Sequence, residues 1–480
     1  MEPAVWSFSI ILILITLAGV ASFLRRRRST GDYLVASREV SPWLSALSAV
    51  ATNNSGFMFI GMIAFSHRVG LESIWMAIAW IFGDLTAWVF VHPRVREQSG
   101  HIRAKTLSGL IGQHGGREDR VLIATCGVIT FVFLGVYAAG QFKAGSLALH
   151  ALFGWDMWVG ITIGMVVVVL YAFAGGIRAS IWTDAAQSFV MIGTMLMILG
   201  ASWLRLGGPS ALLDNLREQD PALVSWTPEH LEFGMAFYFL GLMFGGFGAI
   251  GQPQIMVRYM AIESRVAITR ARVWYFAYFV PFFLASVGVG LCSRALLPEL
   301  ADMTVAAGVT EPTELALPLM TRELLPSVVV GISLAGLFAA TMSTADSQVI
   351  VCSGAVTQDI RPRWQGSYAA SRGATIAVAV LALAIALYAP EGVFALVLIA
   401  WSALAASLGS VLLLRIFHLP FSTVTAVAMM CVGFSTVVVW HYVGYDDDLF
   451  KLLPGLTAAL LVYAAVRSGT VLRETVRKKH

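Results

Sequence analysis

The chain has 480 residues and a formal net charge of +4, and 58% of its residues are hydrophobic whereas only 12% are charged. A soluble domain is roughly 25% charged, so this composition excludes an ordinary water-soluble protein. The apolar residues fall in runs long enough for a helix to cross ~30 Å of hydrocarbon. Because the backbone in lipid must satisfy its own hydrogen bonds, these runs predict helices rather than the short alternating segments of a membrane β-barrel.

The first run, Val5–Phe23, predicts a spanning helix and not a cleaved signal peptide. The basic cluster Arg25–Arg28 follows the apolar run instead of preceding it, and no small-residue cleavage site is evident. Together with twelve later runs it predicts an all-α polytopic membrane protein of about thirteen spans, the last of them short. The spans are Val5–Phe23, Trp43–Ser66, Ile74–Val91, Val121–Leu149, Met157–Phe173, Thr183–Trp203, Phe233–Ile250, Val273–Leu291, Val328–Val356, Ala374–Tyr388, Val393–Leu414, Thr423–Trp440 and Leu449–Val466.

Lysine and arginine are distributed unevenly between the loops. With the N-terminus placed outside, 25 of the 32 basic residues fall in segments on the inner side and six on the outer side, and Lys143 lies within a span. Cytoplasmic loops of membrane proteins carry such an excess. The pattern therefore predicts a multi-pass protein of the plasma (inner) membrane with an external N-terminus and an internal C-terminus, which ends in Arg477–His480.

Two spans contain residues that interrupt helices. The second span includes Ala49–Gly56, where Asn and Ser side chains compete for backbone hydrogen bonds. The seventh has five glycines between Gly241 and Gly251, and Pro253 follows them. For either segment alone, close packing of helices through small residues is an equally good interpretation.

The two interrupted spans run in opposite directions and lie five helices apart. This is the pattern of two inverted five-helix repeats, each beginning with a discontinuous helix whose free backbone lines a site at the midplane. We therefore predict a single transmembrane transporter domain over residues 1–480. It would consist of an extra first helix (5–23), two repeats (43–203 and 233–414) and two C-terminal helices (423–466).

Four charged residues stand out within spans, where charge is costly and usually functional. Asp184 also fits an acid near a helix N-terminus. Asp84 and Lys143 have no evident partner, and a structural or snorkelling role is the simpler interpretation for both. The fourth, Asp346, belongs to a polar stretch of the ninth span.

That polar stretch, Thr341–Gln348, combines four hydroxyl side chains with a carboxylate and an amide. Ser343 shares a helix face with Asp346 and Ser347, because residues three and four apart are neighbours. Hydroxyls here and free carbonyls at the broken second span would together suit a hard alkali cation. The four cysteines, by contrast, are too scattered for a zinc site or a disulfide framework: Cys126, Cys292, Cys352 and Cys431.

At these residues the chain resembles the sodium/solute symporter family, and within it most closely the sodium/proline symporters. The resemblance keeps the family's order from about residue 30 to 360, whereas the last four spans match in hydropathy alone. The matching stretches are Asp32–Arg38, Ala46–Gly56, Gly175–Asp184, Gly251–Ile262, Ala340–Gln348 and Val351–Ser353.

The resemblance implies residues for each site. A principal sodium site would use the carbonyls of Ala51, Asn54 and Ala340 and the hydroxyls of Ser343 and Thr344. A second sodium site, present in some members, would use Asp184, Ser343, Asp346 and Ser347. The substrate region would include Ser55, Gly56, Phe57, Tyr137, Gly245 and Ala249.

Some positions depart from the proline symporters. Asn53 stands where they have an acid, Phe57 where they have Trp, and Gly245 and Ala249 where they have aromatic side chains. The smaller residues predict a roomier pocket, which puts proline itself in doubt and leaves the sodium site intact.

The function expected from these features is sodium-coupled import of a small organic solute, such as an amino acid like proline. Na⁺, the solute and the lipid bilayer are the expected partners, and no nucleic acid is expected. An enzyme is not expected, because no metal cluster or nucleophile elbow is evident. Three alternatives remain: proton coupling, another solute such as a monocarboxylate or vitamin, and a membrane sensor of solutes.

Overall fold

The computed structural model describes residues 2–21, 27–114, 116–228, 230–301, 303, 311–388, 393–446 and 448–477. Arg25, Arg26 and the final residues 478–480, which enter the predicted orientation, lie outside these ranges. Within the described residues the only strands are β1 (Gln113–His114) and β2 (Arg117–Glu118), which pair antiparallel.

Helices make up nearly all of the remaining described chain. The first half contains α1 (Glu2–Ala21), α2 (Thr30–Val35), α3 (Pro42–Gly56), α4 (Met62–Val69), α5 (Ile74–Phe90), α6 (His92–His101), α7 (Leu107–Gly112), α8 (Arg120–Phe153), α9 (Met157–Gly175), α10 (Ile177–Leu206) and α11 (Pro209–Gln219). The second half contains α12 (Gly234–Phe247), α13 (Pro253–Ala261), α14 (Arg265–Leu296), α15 (Ala316–Leu324), α16 (Ser327–Gly354), α17 (Tyr368–Tyr388), α18 (Val393–Leu404), α19 (Ser410–Ile416), α20 (Thr423–Val443) and α21 (Leu452–Arg477).

Twelve segments of the described chain are long and apolar enough to cross a membrane. One of them, Pro42–His101, has 60 residues and contains two of the predicted spans. The predicted all-α membrane fold is therefore confirmed, and the count of thirteen spans holds approximately.

The helices differ in how deeply they lie in the bundle. In the segment Ser327–Ile360, which contains α16, 83% of the most apolar stretch is buried, against 22% for α1. The helix α16 packs against α1, α3, α8 and α10. It is thus a central helix whose polar stretch faces protein, because in a lipid-facing helix those side chains would be left without partners.

Both predicted helix breaks are present. The helix α3 is interrupted at Ser55, whose φ of 28° and ψ of −176° are not helical, and a π-helical turn, Phe57–Gly61, leads into α4. The helix α12 ends at Phe247, and a 3₁₀ turn and the extended residue Gln252 separate it from α13. Each break leaves backbone groups outside the regular helical ladder.

Close packing through glycine accompanies the second break. A Cβ atom on Gly246 would lie 2.0 Å from the Trp80 carbonyl oxygen, and one on Gly83 would lie 1.8 Å from that of Met243. The backbones of α5 and α12 therefore touch, so small-residue packing and a helix break both apply to this segment.

Candidate functional site

The break in α3 brings most of the predicted sodium-site oxygens together against α16. The Ser343 hydroxyl oxygen lies 3.2 Å from the Ala51 carbonyl oxygen and 3.0 Å from that of Ala340. The Thr344 hydroxyl oxygen lies 3.0 Å from the Thr52 carbonyl oxygen and 3.3 Å from that of Ala340. Each hydroxyl has one proton to donate and stands between two acceptors. The cluster consequently has more oxygen lone pairs than protons, which favours a cation.

The structure alters the predicted set at two positions. The Asn54 carbonyl oxygen accepts a hydrogen bond from the Phe57 N–H. It is not among the carbonyls that accept from the α16 hydroxyls. Thr52, whose carbonyl does reach Thr344, was not among the predicted residues. The Asn54 side chain is fully buried, and neither of its amide atoms has a hydrogen-bond partner among the described residues. An orphaned buried amide oxygen at the break in α3 fits an oxygen-ligated cation.

A small central cavity lies beside the broken helices. Its volume is about 20 Å³, enough for one water molecule, so the protein is closed around this point. Phe57 and Tyr137 from the predicted substrate region line it, together with Asn53, Met58, Trp80, Phe279, Phe283, Val397, Leu398 and Trp401. This lining is aromatic and apolar with two polar groups, the Asn53 amide and the Tyr137 hydroxyl, which is a composition typical of small-molecule sites.

Two other predicted substrate residues support the wall of this cavity. The Ser55 side chain hydrogen bonds to the Tyr137 hydroxyl and accepts from the Phe57 N–H at 3.1 Å. The Gly56 N–H donates to the Gln141 side-chain oxygen at 2.8 Å. They hold the broken helix against α8 and do not line the cavity themselves.

Gly245 and Ala249 do not enlarge the pocket in this conformation. A Cβ atom on Gly245 would lie 2.5 Å from the Trp80 ring, and Ala249 is buried in the turn after α12. Neither residue lines the central cavity. The roomier pocket predicted from their size is therefore not found here, because the indole rings of Trp80 and Trp401 fill the space.

The residues of the predicted second sodium site lie around a buried arginine. Asp184 accepts from the Arg258 guanidinium at 2.7 Å and from the Ser48 hydroxyl at 2.5 Å. Asp346 accepts from the Ser347 hydroxyl at 2.6 Å, and Ser347 also accepts from Arg258. The Ser347 hydroxyl oxygen also lies 2.7 Å from the Ser343 carbonyl oxygen, so its single proton can be donated to either acceptor.

With both of its carboxylates ionised, this Arg258 cluster would carry an unbalanced negative charge. Its two carboxylates face one guanidinium, and all three side chains are fully buried. One oxygen of Asp184 and one of Asp346 have no hydrogen-bond partner among the described residues. Burying an unpaired charge is expensive, so these free oxygens fit one additional monovalent cation.

Arg258 did not stand out in the sequence, because the predicted span bounds put it among the basic residues of an inner loop. Its signal was an isolated cation in the apolar run Pro253–Ala261, which forms α13. The guanidinium also donates to the Ser48 hydroxyl at 2.7 Å and so connects α13 to α3.

Asp84 has a partner that the sequence did not reveal. Its carboxylate accepts from the Tyr275 hydroxyl of α14 at 2.6 Å, and the Tyr275 oxygen accepts from the Asn53 amide at 2.5 Å. Lys143 lies half-buried on α8.

Comparisons with known proteins agree with this architecture. The model of the sodium:solute symporter family matches residues 33–433. The high-affinity proline transporter PutP of Bacillus subtilis is 29% identical over 91% of this chain and 92% of its own. The sodium/proline symporter of Escherichia coli is 27% identical over 94% of this chain and 90% of its own.

Solved structures show the same fold. A Na⁺-coupled sialic acid symporter in a substrate-bound outward-open state superposes with a TM-score of 0.77, at 19% identity and 96% coverage of both chains. Mhp1, a nucleobase-cation-symport-1 family transporter, gives 0.56 at 18% identity, covering 91% of this chain and 94% of its own. These likenesses confirm the predicted inverted-repeat fold with a discontinuous helix opening each repeat. The match of the family model over most of its length shows that this chain belongs to the sodium:solute symporter family.

Proposed function

We propose that this protein imports a small amino or imino acid, with proline as the first candidate, together with Na⁺ bound between α3 and α16. Membership of the family makes it a sodium-coupled solute transporter and not an enzyme. Proline is suggested by the names of the relatives, which align over about nine tenths of the chain.

The observation that carries the proposed ion site is the set of neutral oxygens at the break in α3. Two hydroxyls of α16 face three backbone carbonyls, those of Ala51, Thr52 and Ala340. Neutral oxygens suit a singly charged hard cation, whereas a divalent ion prefers carboxylates. Sodium here would hold the broken α3 against α16 and so favour one conformation over another.

The Arg258 cluster is the proposed place for a second cation. Asp184, Asp346 and Ser347 are within reach of one another there, and the excess negative charge would be balanced by Na⁺ or by a proton. The choice between these two ions decides the stoichiometry of transport.

A vestibule of about 640 Å³ supports alternating access. It is lined by Arg68, Glu72, Asp446 and Lys451, and it shares Leu398 with the central cavity. The charge asymmetry of the loops supports an external position for this vestibule. Rocking of the repeats 43–203 and 233–414 would open the closed cavity alternately to the vestibule and to the cytoplasm.

Uptake by proteoliposomes tests the proposal. Labelled proline, other amino acids and carboxylates are offered with an inward gradient of Na⁺, and choline replaces Na⁺ in the control. We expect uptake of proline or a close analogue that depends on sodium and is lost in empty liposomes. Uptake driven by a proton gradient in choline would favour proton coupling, and binding without uptake would favour a sensor.

A further inference from the structure

The third helical span contains a buried carboxylate that the sodium sites do not use. Asp84 of α5 is fully buried, and one carboxylate oxygen, Oδ1, has no hydrogen-bond partner among the described residues. The described salt bridges within 4.0 Å do not include it. Removing an ionised carboxylate from water without a cation is very unfavourable. We therefore expect the Asp84 carboxylate to be neutralised by a positive charge during at least part of the transport cycle.

A hydrogen-bonded relay connects Asp84 to the central cavity. The Tyr275 hydroxyl donates to Asp84 Oδ2 at 2.6 Å, and the Asn53 amide nitrogen donates to the Tyr275 oxygen at 2.5 Å. Asn53 lines the cavity and stands two residues before the break at Ser55. The carboxylate is thus two hydrogen bonds away from the proposed solute site.

The position of Asp84 is fixed by the helices that line the cavity. Trp80, four residues earlier on α5, and Phe279, four residues after Tyr275 on α14, are both cavity residues. Residues four apart lie on one helix face about 6 Å from each other along the axis. The Asp84–Tyr275 pair therefore lies one helical turn beyond the cavity.

The groups around Asp84 do not supply the missing charge. Tyr275 of α14 and Tyr259 of α13 are near enough to interact electrostatically with it. His92 of α6 stacks on Tyr259 with ring centroids 4.0 Å apart. On α12 the residues that meet α5 beside Gly83 are apolar.

The oxygens available favour a proton over a metal ion. A sodium ion needs several oxygen ligands, but here the carboxylate has one hydrogen-bonded hydroxyl, that of Tyr275, which is already bonded on both sides. The described residues contain no group of three or more His, Cys, Asp or Glu side chains able to hold a metal. A proton needs a single acceptor and neutralises the carboxylate fully.

We propose that Asp84 binds one proton in the transport cycle and that Tyr275 transmits its charge state to Asn53 at the central cavity. The step is a proton exchange with water: an O–H bond forms on the carboxylate or breaks, and no electrons are transferred. This inference rests on the proposed transport function.

The hydrogen bonds of the relay can run in two directions. With Asp84 ionised, Tyr275 donates to it, Asn53 donates to Tyr275, and the Asn53 amide oxygen is left to face the cavity. A proton on Oδ1 would be a buried donor with no acceptor, so protonated Asp84 is best satisfied by donating to the Tyr275 oxygen. Tyr275 must then donate to the Asn53 oxygen, which requires the amide to turn over.

Proton binding therefore exchanges a hydrogen-bond acceptor for a donor at the cavity wall. The ionised state presents the Asn53 oxygen, which suits the nitrogen of an amino or imino acid. The protonated state presents the amide NH₂, which removes that acceptor. Solute affinity should consequently fall as Asp84 takes up its proton.

Infrared difference spectra of the full chain in lipid test the proton directly. Between mildly acidic and mildly alkaline buffer, the wild type should lose the C=O stretch of a buried carboxylic acid, and Asp84→Asn should lack that component. Asp359→Asn is the matched control, because Asp359 is another buried carboxylate with one unpartnered oxygen. Identical carboxylic acid bands in wild type and Asp84→Asn, or no such band in the wild type, would overturn the proposal.

The relay is tested separately by Tyr275→Phe. This variant keeps the carboxyl band at a shifted frequency, but its sodium-driven uptake of labelled L-proline should lose the pH dependence that the wild type shows. Retention of the wild-type pH dependence in Tyr275→Phe would contradict the relay. If sodium does not stimulate L-proline uptake at all, the proposed function fails for that solute, whereas the infrared spectra still decide whether Asp84 binds a proton.

Discussion

The two helix breaks differ in the groups that satisfy their free carbonyls. At the break in α3, the carbonyls of Ala51 and Thr52 are paired with hydroxyls of α16. At the break after α12, the Gly245 carbonyl accepts from the Trp401 indole N–H at 2.9 Å. The Gln252 side chain, which follows that turn, donates to the Trp401 carbonyl at 2.9 Å.

This difference decides which break can bind a cation. A hydroxyl can rotate its proton away and offer lone pairs to an ion, and it then releases the carbonyl as a further ligand. An indole or amide N–H can only donate, so it blocks the carbonyl and repels a cation. The same architectural element thus provides the proposed ion site at α3 and a packing contact after α12.

The largest effect should come from Arg258, which follows the second break and binds the helix of the first. Arg258→Met leaves Asp184 buried without its partner, and breaking a buried pair in this way costs about 3–5 kcal/mol. We expect a large drop in thermal stability in detergent and little active protein. The double variant Arg258→Met, Asp184→Asn should recover part of the stability; no recovery would show that the pair is not the cause.

Removing a hydroxyl at the first break should specifically weaken the binding of sodium. A hydrogen bond or contact with a charged group contributes about 1.5–3 kcal/mol, so Thr344→Ala and Ser343→Ala should raise the sodium concentration for half-maximal uptake about 10- to 100-fold. Expression should stay near that of the wild type. If both variants kept the sodium dependence of the wild type, the ion would have to bind elsewhere.

Removing a donor at the second break should affect stability and leave sodium affinity unchanged. Trp401→Phe deletes the indole N–H that satisfies Gly245, at a cost of about 0.5–1.5 kcal/mol. Thermal unfolding should shift modestly downward, and the sodium concentration for half-maximal uptake should match the wild type. A shift in sodium dependence comparable to that of Thr344→Ala would remove the distinction between the two breaks.

The smallest effect is expected for Thr344→Ser. The substitution keeps the oxygen and loses only a methyl group, which is worth about 0.8 kcal/mol when buried. Sodium dependence, measured by uptake beside Thr344→Ala, should therefore stay near the wild type. An effect as large as that of alanine would mean that packing, and not the hydroxyl, is what Thr344 contributes.

The sequence predicted local features better than long-range ones. Asparagine and glycine in a helix interior are intrinsically unfavourable, so both breaks were visible, and the polar stretch of α16 exposed Ser343 and Thr344. The partner of Asp84 was not visible, because Tyr275 is 191 positions away and only the fold brings it near. Arg258 was obscured for a related reason, since a cation beside an apolar run looks like a loop residue until its carboxylates are located.

Pocket size shows a further limit of the sequence. Gly245 suggested free space, but a glycine does not determine which neighbour fills the volume that it leaves. Trp80, on a helix far away in the sequence, lies within 2.5 Å of the missing Cβ position. The volume of a site is thus a property of the packed helices and not of one residue.

The measurement that tests the account most directly is equilibrium binding of ²²Na⁺ to three purified proteins: wild type, Thr344→Ala and Trp401→Phe. It needs no knowledge of the transported solute. We predict that Thr344→Ala binds sodium about 10- to 100-fold more weakly, while Trp401→Phe binds it as tightly as the wild type. Unchanged binding in Thr344→Ala, or equal weakening in both variants, would contradict the assignment of the ion to the break in α3.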